Sequence, residues 1–155
     1  MTVRILLVDD HKMIRDGLRA LIEKQRTMEV LGEAADGQTA VQSVRKLSPD
    51  VVVIDIGMPE LNGIEATRQI LQAVPGIKVL ILSAHNDDAY VDRAMESGAM
   101  GYLIKLTSAS ILVEAIREVQ RGNIFLCPEV AKLLHTRKKE LLDRKGESQE
   151  EGDRP

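Results

Sequence analysis

The chain has 155 residues, of which 44% are hydrophobic and 29% are charged, which is the composition of one ordinary soluble domain. A net charge of −3 gives no basic field for nucleic acid or a membrane, and only three aromatic residues argue against binding by base stacking. The single cysteine excludes an internal disulfide and favours a reducing cytoplasm. No apolar stretch is long enough to span a membrane, and the N-terminus leads straight into a predicted strand without a secretory signal.

Short, β-branched apolar runs alternate about five times with segments of helical periodicity. This alternation is typical of a parallel sheet covered by helices on both faces. Beyond residue 122 the pattern changes, and we predict a helical extension over 123–144 and a disordered linker over 145–155, which has no apolar side chain of any size. We predict strands near 3–8, 28–34, 51–54, 77–82 and 100–104, and helices near 11–25, 38–47, 64–74, 87–97 and 108–121.

Polar residues stand where four of the predicted strands end. Asp9 and Asp10 follow the first strand, and Asp55 follows the third; Ser83 and Lys105 follow the fourth and fifth. The carboxyl ends of parallel strands meet at one edge of a sheet, where open α/β folds bind their ligands. Three carboxylates, a hydroxyl and an ammonium at that edge predict a site for a divalent cation and a phosphoryl group.

Each of these residues also has an ordinary structural interpretation, such as Asp10 as the cap of the next helix. Adjacent carboxylates at Asp9 and Asp10 favour a hard cation such as Mg²⁺, which relieves their repulsion. Asp55 is open to three roles, as a ligand, a base or a nucleophile, and Gly57 leaves a carbonyl available to a metal. Lys105 closes an apolar strand, so it needs an anionic partner such as Asp55 or an added phosphate.

Taken together, these motifs resemble the receiver domain of two-component response regulators of the NarL/FixJ (LuxR-type) family. The resemblance covers roughly residues 2–122. It implies a flavodoxin-like (CheY-like), doubly wound α/β fold, a three-layer α/β/α sandwich with a five-stranded parallel sheet in the order 2-1-3-4-5. The matching motifs are Asp9-Asp10, the loop from Asp55 to Pro59, Asn62-Gly63, Ser83-Ala84, and Tyr102 with Lys105.

The resemblance also implies a phosphorylation site and a metal site. Asp55 would be the phosphoacceptor. Mg²⁺ (or Mn²⁺) would be bound by Asp10, Asp55 and the backbone carbonyl of Gly57, with Asp9 acting through water.

A second group of residues would bind the phosphoryl group and report its presence. Ser83 and Lys105 would hold phosphoryl oxygens, the small Ala84 would leave room for them, and Tyr102 would change rotamer together with Ser83. Many family members have proline directly after the lysine, whereas this chain has Leu106, so no cis peptide is expected there.

The implied partner is a sensor histidine kinase, and phosphorylation would promote a homodimer in the cytoplasm, without a membrane contact. The protein would be a phosphoacceptor switch with Mg²⁺-dependent self-phosphorylation and self-dephosphorylation rather than an enzyme. It would reach DNA only through a helix-turn-helix output domain that is absent from this chain. We therefore expect the receiver and linker of a longer transcription regulator; the alternative is a stand-alone receiver that acts by protein–protein contact.

Three other classes fit the sequence less well. A haloacid dehalogenase phosphatase needs a second Asp two residues after its nucleophile, where this chain has Gly57. A flavodoxin needs a Gly-, Ser- and Thr-rich phosphate loop after the first strand, where this chain has Asp10-His11-Lys12-Met13. A P-loop NTPase needs the Gly-x-x-x-x-Gly-Lys motif, which is absent. A degenerate receiver that takes no phosphate stays open, although all the expected site residues are present.

Overall fold

The computed structural model describes residues 2–58, 61–84, 88–105, 109–128 and 130–132. Strands and helices alternate along this part of the chain, as the apolar pattern predicts. Among the described residues, no helix has the combined length and apolar character that crossing a bilayer would require. The elements are β1 Val3–Val8, α1 Lys12–Glu23, β2 Met28–Ala34, α2 Gly37–Leu47, β3 Val51–Asp55, α3 Gly63–Ala73, β4 Lys78–Ser83, α4 Asp88–Glu96, β5 Gly101–Ile104, α5 Ala109–Gln120 and β6 Phe125–Leu126.

All strand pairs in the described sheet are parallel, in the order β2-β1-β3-β4-β5-β6. The predicted parallel α/β fold and the order of its first five strands are confirmed. The prediction of five strands is wrong by one, because the two residues of β6 add a sixth strand beside β5. Two residues are too few to show a period of two in a sequence, and β6 lies within the segment that the sequence predicts to be a helical extension.

The connection that leads to β6 is also unusual. The groove between α1 and α5 is lined by both helices, and Arg117 on α5 donates to the side chain of Gln25, just after α1, at 3.2 Å, so these helices share one face of the sheet. The chain moves along the sheet in one direction through α1 and in the opposite direction through α5. The two crossovers therefore have opposite hands, and since almost all such connections are right-handed, the β5–α5–β6 unit is the exception.

The core lies against both faces of the central strands. Every residue of β3 is buried, and β1 and β4 are buried at all positions except their exposed or half-exposed Arg4 and Lys78. Strands that are buried on both faces read as continuous apolar runs, which explains why the sequence predicts them well. This packing fixes the strand ends, and with them the polar residues that follow.

The helix α2 begins with a side-chain cap. The Asp36 carboxylate accepts hydrogen bonds from the backbone N–H of Thr39 at 2.7 Å and from its hydroxyl at 3.0 Å. These bonds satisfy a donor that the first turn of a helix leaves without a partner. The backbone hydrogen bond from Thr39, followed by the hydroxyl bond, lowers the pKa of Asp36 below its ordinary value.

We predict that Asp36→Ala lowers the free energy of unfolding at neutral pH by about 1 kcal/mol, as measured by urea denaturation. Because the folded pKa of Asp36 is lowered, its ionisation stabilises the fold fully above the unfolded pKa and loses that effect as pH falls through the folded pKa. The difference between the wild type and Asp36→Ala should therefore shrink in acid. Asp36→Asn keeps an acceptor that does not titrate, and Gln42→Ala changes an exposed position on the same helix. An equal loss in Gln42→Ala would contradict the cap.

Candidate functional site

Three predicted site residues meet at the carboxyl edge of the sheet. The Lys105 Nζ atom lies 3.0 Å from Asp9 Oδ2 and 3.2 Å from Asp55 Oδ2. Both carboxylates are almost completely buried, with Asp9 1% and Asp55 5% exposed. One ammonium therefore bridges two buried carboxylates that come from different strands.

The sheet itself brings these groups together. Asp9 follows β1, Asp55 ends β3, and these two strands are neighbours in the sheet. Lys105 follows β5, which is separated from β3 by β4, so its side chain reaches across the end of β4. The Lys105 backbone N–H donates to the carbonyl of Ser83 at 2.8 Å, which fixes the start of that reach.

Two opposing effects act on the Lys105 ammonium. Burial alone lowers its pKa, but the side-chain hydrogen bond with Asp9 and the charges of Asp55 and Asp9 outweigh burial. The net effect raises the pKa of Lys105 above its ordinary value. The ammonium is therefore fully charged at neutral pH, as its role between two carboxylates requires.

Asp10 and His11 complete the cluster on its outer side. The His11 Nδ1 atom lies 3.1 Å from Asp9 Oδ1 and 3.0 Å from Asp10 Oδ1. The backbone N–H of His11 also donates to Asp9 Oδ1 at 2.8 Å. His11 is the N-cap residue of α1 and makes no side-chain capping bond, so the described helix start does not support the interpretation of Asp10 as its cap.

The donor set suits a hard divalent cation. Ligand atoms of Asp9, Asp10, His11 and Asp55 all lie within 4.8 Å of one another. Three carboxylates against one ammonium leave two negative charges without compensation inside this cluster. Carboxylate oxygens at this spacing and with this charge fit Mg²⁺ or Mn²⁺, and Asp10 and Asp55 are the residues that would hold the ion.

The loop after β3 has a defined local geometry. Asp55 Oδ1 accepts a hydrogen bond from the backbone N–H of Gly57 at 3.1 Å, which orients the carboxylate. Gly57 is exposed, so its carbonyl is on an accessible part of the chain. Asn62 caps α3 by accepting from the N–H groups of Ile64 and Glu65, each at 3.0 Å.

The other predicted residues occupy the ends of β4 and β5. Ser83 is completely buried, whereas Ala84 next to it is exposed. Tyr102 is also completely buried and pairs with Ile81, two residues before Ser83. Every predicted site residue is thus near the same edge except Tyr102, which lies inside the sheet. Pro59 and Leu106 lie outside the described residues.

Two residues without a predicted role, His11 and Arg15, also lie at this edge of the sheet. His11 contacts two of the carboxylates, and Arg15 donates from Nη1 to the backbone carbonyl of Asp9. The motif Asp9-Asp10-His11 was the available signal for the first. Nothing in the sequence pattern indicates that a residue in the first turns of α1 reaches back to Asp9.

Comparison with known proteins agrees with this arrangement. Residues 5–117 match the response regulator receiver domain family. The chain is 41% identical over 128 residues to the transcriptional regulatory protein DegU of Brevibacillus brevis, and 39% identical over 143 residues to the response regulator protein VraR of Staphylococcus aureus. These alignments cover 83% and 92% of this chain, respectively, and 54% and 68% of the two relatives. The chain thus spans about half the length of DegU.

A solved structure gives the same result. The crystal structure of a LuxR-family two-component response regulator from Aurantimonas sp. SI85-9A1 matches with a TM-score of 0.86 and 38% identity. The match covers 89% of this chain and 99% of that one. The chain belongs to the response regulator receiver family, and the predicted resemblance to NarL/FixJ (LuxR-type) receivers is confirmed.

Gly63 provides the closest backbone approach to the site, and we predict that Gly63→Ala destabilises the protein. An added Cβ would meet the carbonyl oxygen of Asp55 and lie 2.7 Å from Ile56 Cα, so the loop that carries Asp55 has to shift. We expect a loss of about 1–3 kcal/mol in the free energy of unfolding by urea denaturation. Gly17→Ala, at a helix position with open space around it, should instead stabilise the protein by about 0.5–1 kcal/mol. Equal effects of the two variants would contradict this account.

We also predict that Lys105→Met lowers the free energy of unfolding by about 2 kcal/mol in the absence of divalent cations, because breaking a buried ion pair leaves charges uncompensated. Mg²⁺ should then raise the Tm of Lys105→Met more than that of the wild type, since the cation replaces the lost positive charge. Circular dichroism melts with EDTA and with MgCl₂ would measure both effects. Lys46→Met, at an exposed position on α2, is the matched control. A Mg²⁺-dependent rise equal in all three proteins would argue against a cation site at Lys105.

Proposed function

We propose that this chain is a phosphoacceptor switch, in which Asp55 takes a phosphoryl group with the help of Mg²⁺ or Mn²⁺. The observation that carries the proposal is the Asp55 carboxylate, held beside Lys105 within a cluster of carboxylates at the carboxyl edge of the sheet. Membership of the receiver family supports it. Transfer to a side chain of the protein, rather than turnover of a substrate, makes the chain a switch and not an enzyme in the usual sense.

The proposed transfer forms one bond and breaks another. An Asp55 oxygen attacks phosphorus in line, and the bond from phosphorus to the imidazole nitrogen of a phosphohistidine, or to the leaving oxygen of a small phosphodonor, breaks. Asp10, Asp55 and the carbonyl of Gly57 would hold a divalent cation, with Asp9 acting through water, and the bound cation would supply positive charge near the phosphoryl oxygens. The N–H of Gly57 orients Asp55 for the attack by holding its Oδ1 atom.

Lys105 has a second part in this mechanism. Its ammonium faces Asp55 at 3.2 Å, so a phosphoryl group added there arrives within reach of the same cation. Charge-assisted bonds from Lys105 and a hydrogen bond from Ser83 would stabilise the acyl phosphate until water hydrolyses it. Ala84 leaves space at the end of β4, and Tyr102 takes a new rotamer when Ser83 moves toward the phosphate.

The proposed output is a population shift between two conformations. The partners are a sensor histidine kinase and, after phosphorylation, a second copy of the chain in the cytoplasm. DegU is by its name a transcriptional regulatory protein, and the match covers 54% of its length. We infer that this receiver likewise acts on transcription through a further domain. A DNA-binding output domain joined to the receiver would be controlled by that dimerisation.

Intact-mass spectrometry tests the phosphoacceptor directly. After incubation with Mg²⁺ and acetyl phosphate, we predict a single, labile phosphate adduct on the wild type, since Asp55 is the carboxylate that both faces Lys105 and is oriented by the Gly57 N–H. EDTA and Asp55→Asn should each abolish the adduct. Asp50→Asn, at the opposite end of β3, is the matched control and should be labelled normally. Retained labelling of Asp55→Asn would identify another acceptor, and no labelling of any sample would overturn the proposal.

Size-exclusion chromatography of the same samples tests the output. Allosteric couplings of about 1–3 kcal/mol change affinity from several-fold to more than a hundredfold, so phosphorylation should shift the monomer–dimer equilibrium at a fixed protein concentration. The wild type should elute earlier after phosphorylation, and Asp55→Asn should not change. Phosphorylation without a change in elution would favour a stand-alone receiver that signals by contact with a different protein.

A further inference from the structure

The Arg15 side chain binds the backbone of the site. Its Nη1 atom donates to the carbonyl oxygen of Asp9 at 2.5 Å. The strand β1 ends at Val8, and the Asp9 N–H still donates to Ala34 of β2 at 3.1 Å. The Asp9 carbonyl thus lies just beyond the end of β1, and the Arg15 side chain is its hydrogen-bond donor.

A carboxylate holds Arg15 in that position. Its Nε atom donates to Glu33 Oε1 at 3.2 Å, and the Arg15 side chain is only 15% exposed. Glu33 also pairs with Arg19, whose Nε lies 3.3 Å from Oε2. Arg15 therefore uses two edges of its guanidinium, one toward Glu33 and one toward Asp9, an arrangement that a planar fork of donors allows.

The position of the Asp9 carbonyl also determines the position of the next residue, Asp10. A peptide unit is planar, so fixing the carbonyl of Asp9 also fixes the N–H and Cα of Asp10. Asp9 and Asp10 are the two residues whose carboxylates approach His11 and the rest of the acidic cluster. The orientation of this peptide thus determines where both carboxylates stand relative to Asp55.

We propose that Arg15 is a positioning residue of the cation site: braced by Glu33, it holds the Asp9–Asp10 peptide so that the two carboxylates face Asp55. The inference rests on the proposed Mg²⁺ site. The contacts of Arg15 described above are with Glu33 and the Asp9 carbonyl, so in this proposal Arg15 acts through the backbone of Asp9.

Positioning and simple charge predict opposite results. If Arg15 acted only as a positive charge near the site, its removal would strengthen the binding of a divalent cation. If it holds the peptide, its removal weakens binding, because Asp9 and Asp10 must be ordered when the cation binds. A lysine keeps the charge but lacks the planar fork that contacts Glu33 and Asp9 together, so Arg15→Lys separates the two effects again.

The test is isothermal titration calorimetry of the whole chain with MgCl₂, without any phosphodonor. We expect roughly tenfold weaker Mg²⁺ binding in Arg15→Met, the size of effect that loss of one charge-assisted hydrogen bond produces. Arg15→Lys should also bind Mg²⁺ more weakly than the wild type. Arg19→Met is the matched control, because Arg19 pairs with the same Glu33 and does not contact Asp9; its Mg²⁺ affinity should equal that of the wild type. Circular dichroism melts confirm that each variant is folded.

Phosphorylation supplies a second readout. The Mg²⁺ concentration for half-maximal labelling by acetyl phosphate should rise in Arg15→Met, whereas the labelling rate at saturating Mg²⁺ should approach that of the wild type. Unchanged or tighter Mg²⁺ binding in Arg15→Met, or an equal loss in Arg19→Met, would overturn the inference. Calorimetry involves no phosphate transfer, so a wild type that binds Mg²⁺ but takes no phosphate would overturn the proposed function and leave this result standing.

Discussion

Two carboxylates buried side by side repel one another and have lost most of their hydration, so a cation placed between them removes a large electrostatic cost. In this protein the cation is the ammonium of Lys105, which reaches from the end of β5 across β4 to Asp55 and Asp9. The reach is possible because the sheet is parallel and its strands end together. The order of the strands, the small residues that end β4 and the placement of the loop after β3 all have to accommodate this one contact.

The ammonium neutralises only part of the cluster. Asp9, Asp10 and Asp55 carry more negative charge than Lys105 supplies, and a fold selected only for stability would reduce that excess. The excess negative charge favours a divalent cation at this edge, so the arrangement that suits the proposed cation site opposes local stability. The Gly57 N–H binds the Asp55 carboxylate, Gly63 packs closely against the Asp55 backbone, and the Arg15 side chain binds the Asp9 carbonyl, so the residues that carry these carboxylates are restrained.

The sequence predicted the parts of this molecule that depend on strand order and strand ends. Residues such as Asp55 and Lys105 stand directly after apolar runs, and parallel pairing leaves them only one edge to share. The contact of Arg15 with Asp9 was not predictable in this way, because it depends on the angle at which α1 leaves the site and on a side-chain conformation. The strand β6 was missed for two reasons: it has only two residues, and its crossover has the hand that general rules disfavour.

The strand β6 gives the edge of the sheet a further property. Phe125 donates to the carbonyl of Met100, and Cys127 donates to that of Tyr102, so the segment after α5 is bonded along the strand that holds the buried tyrosine. With strands about 4.8 Å apart, three spacings, or about 14 Å, separate the backbone of β3 from that of β6. Residues 125–127 are therefore coupled by backbone hydrogen bonds to the strand that carries Tyr102, so a displacement of β5 would be transmitted to the segment after α5.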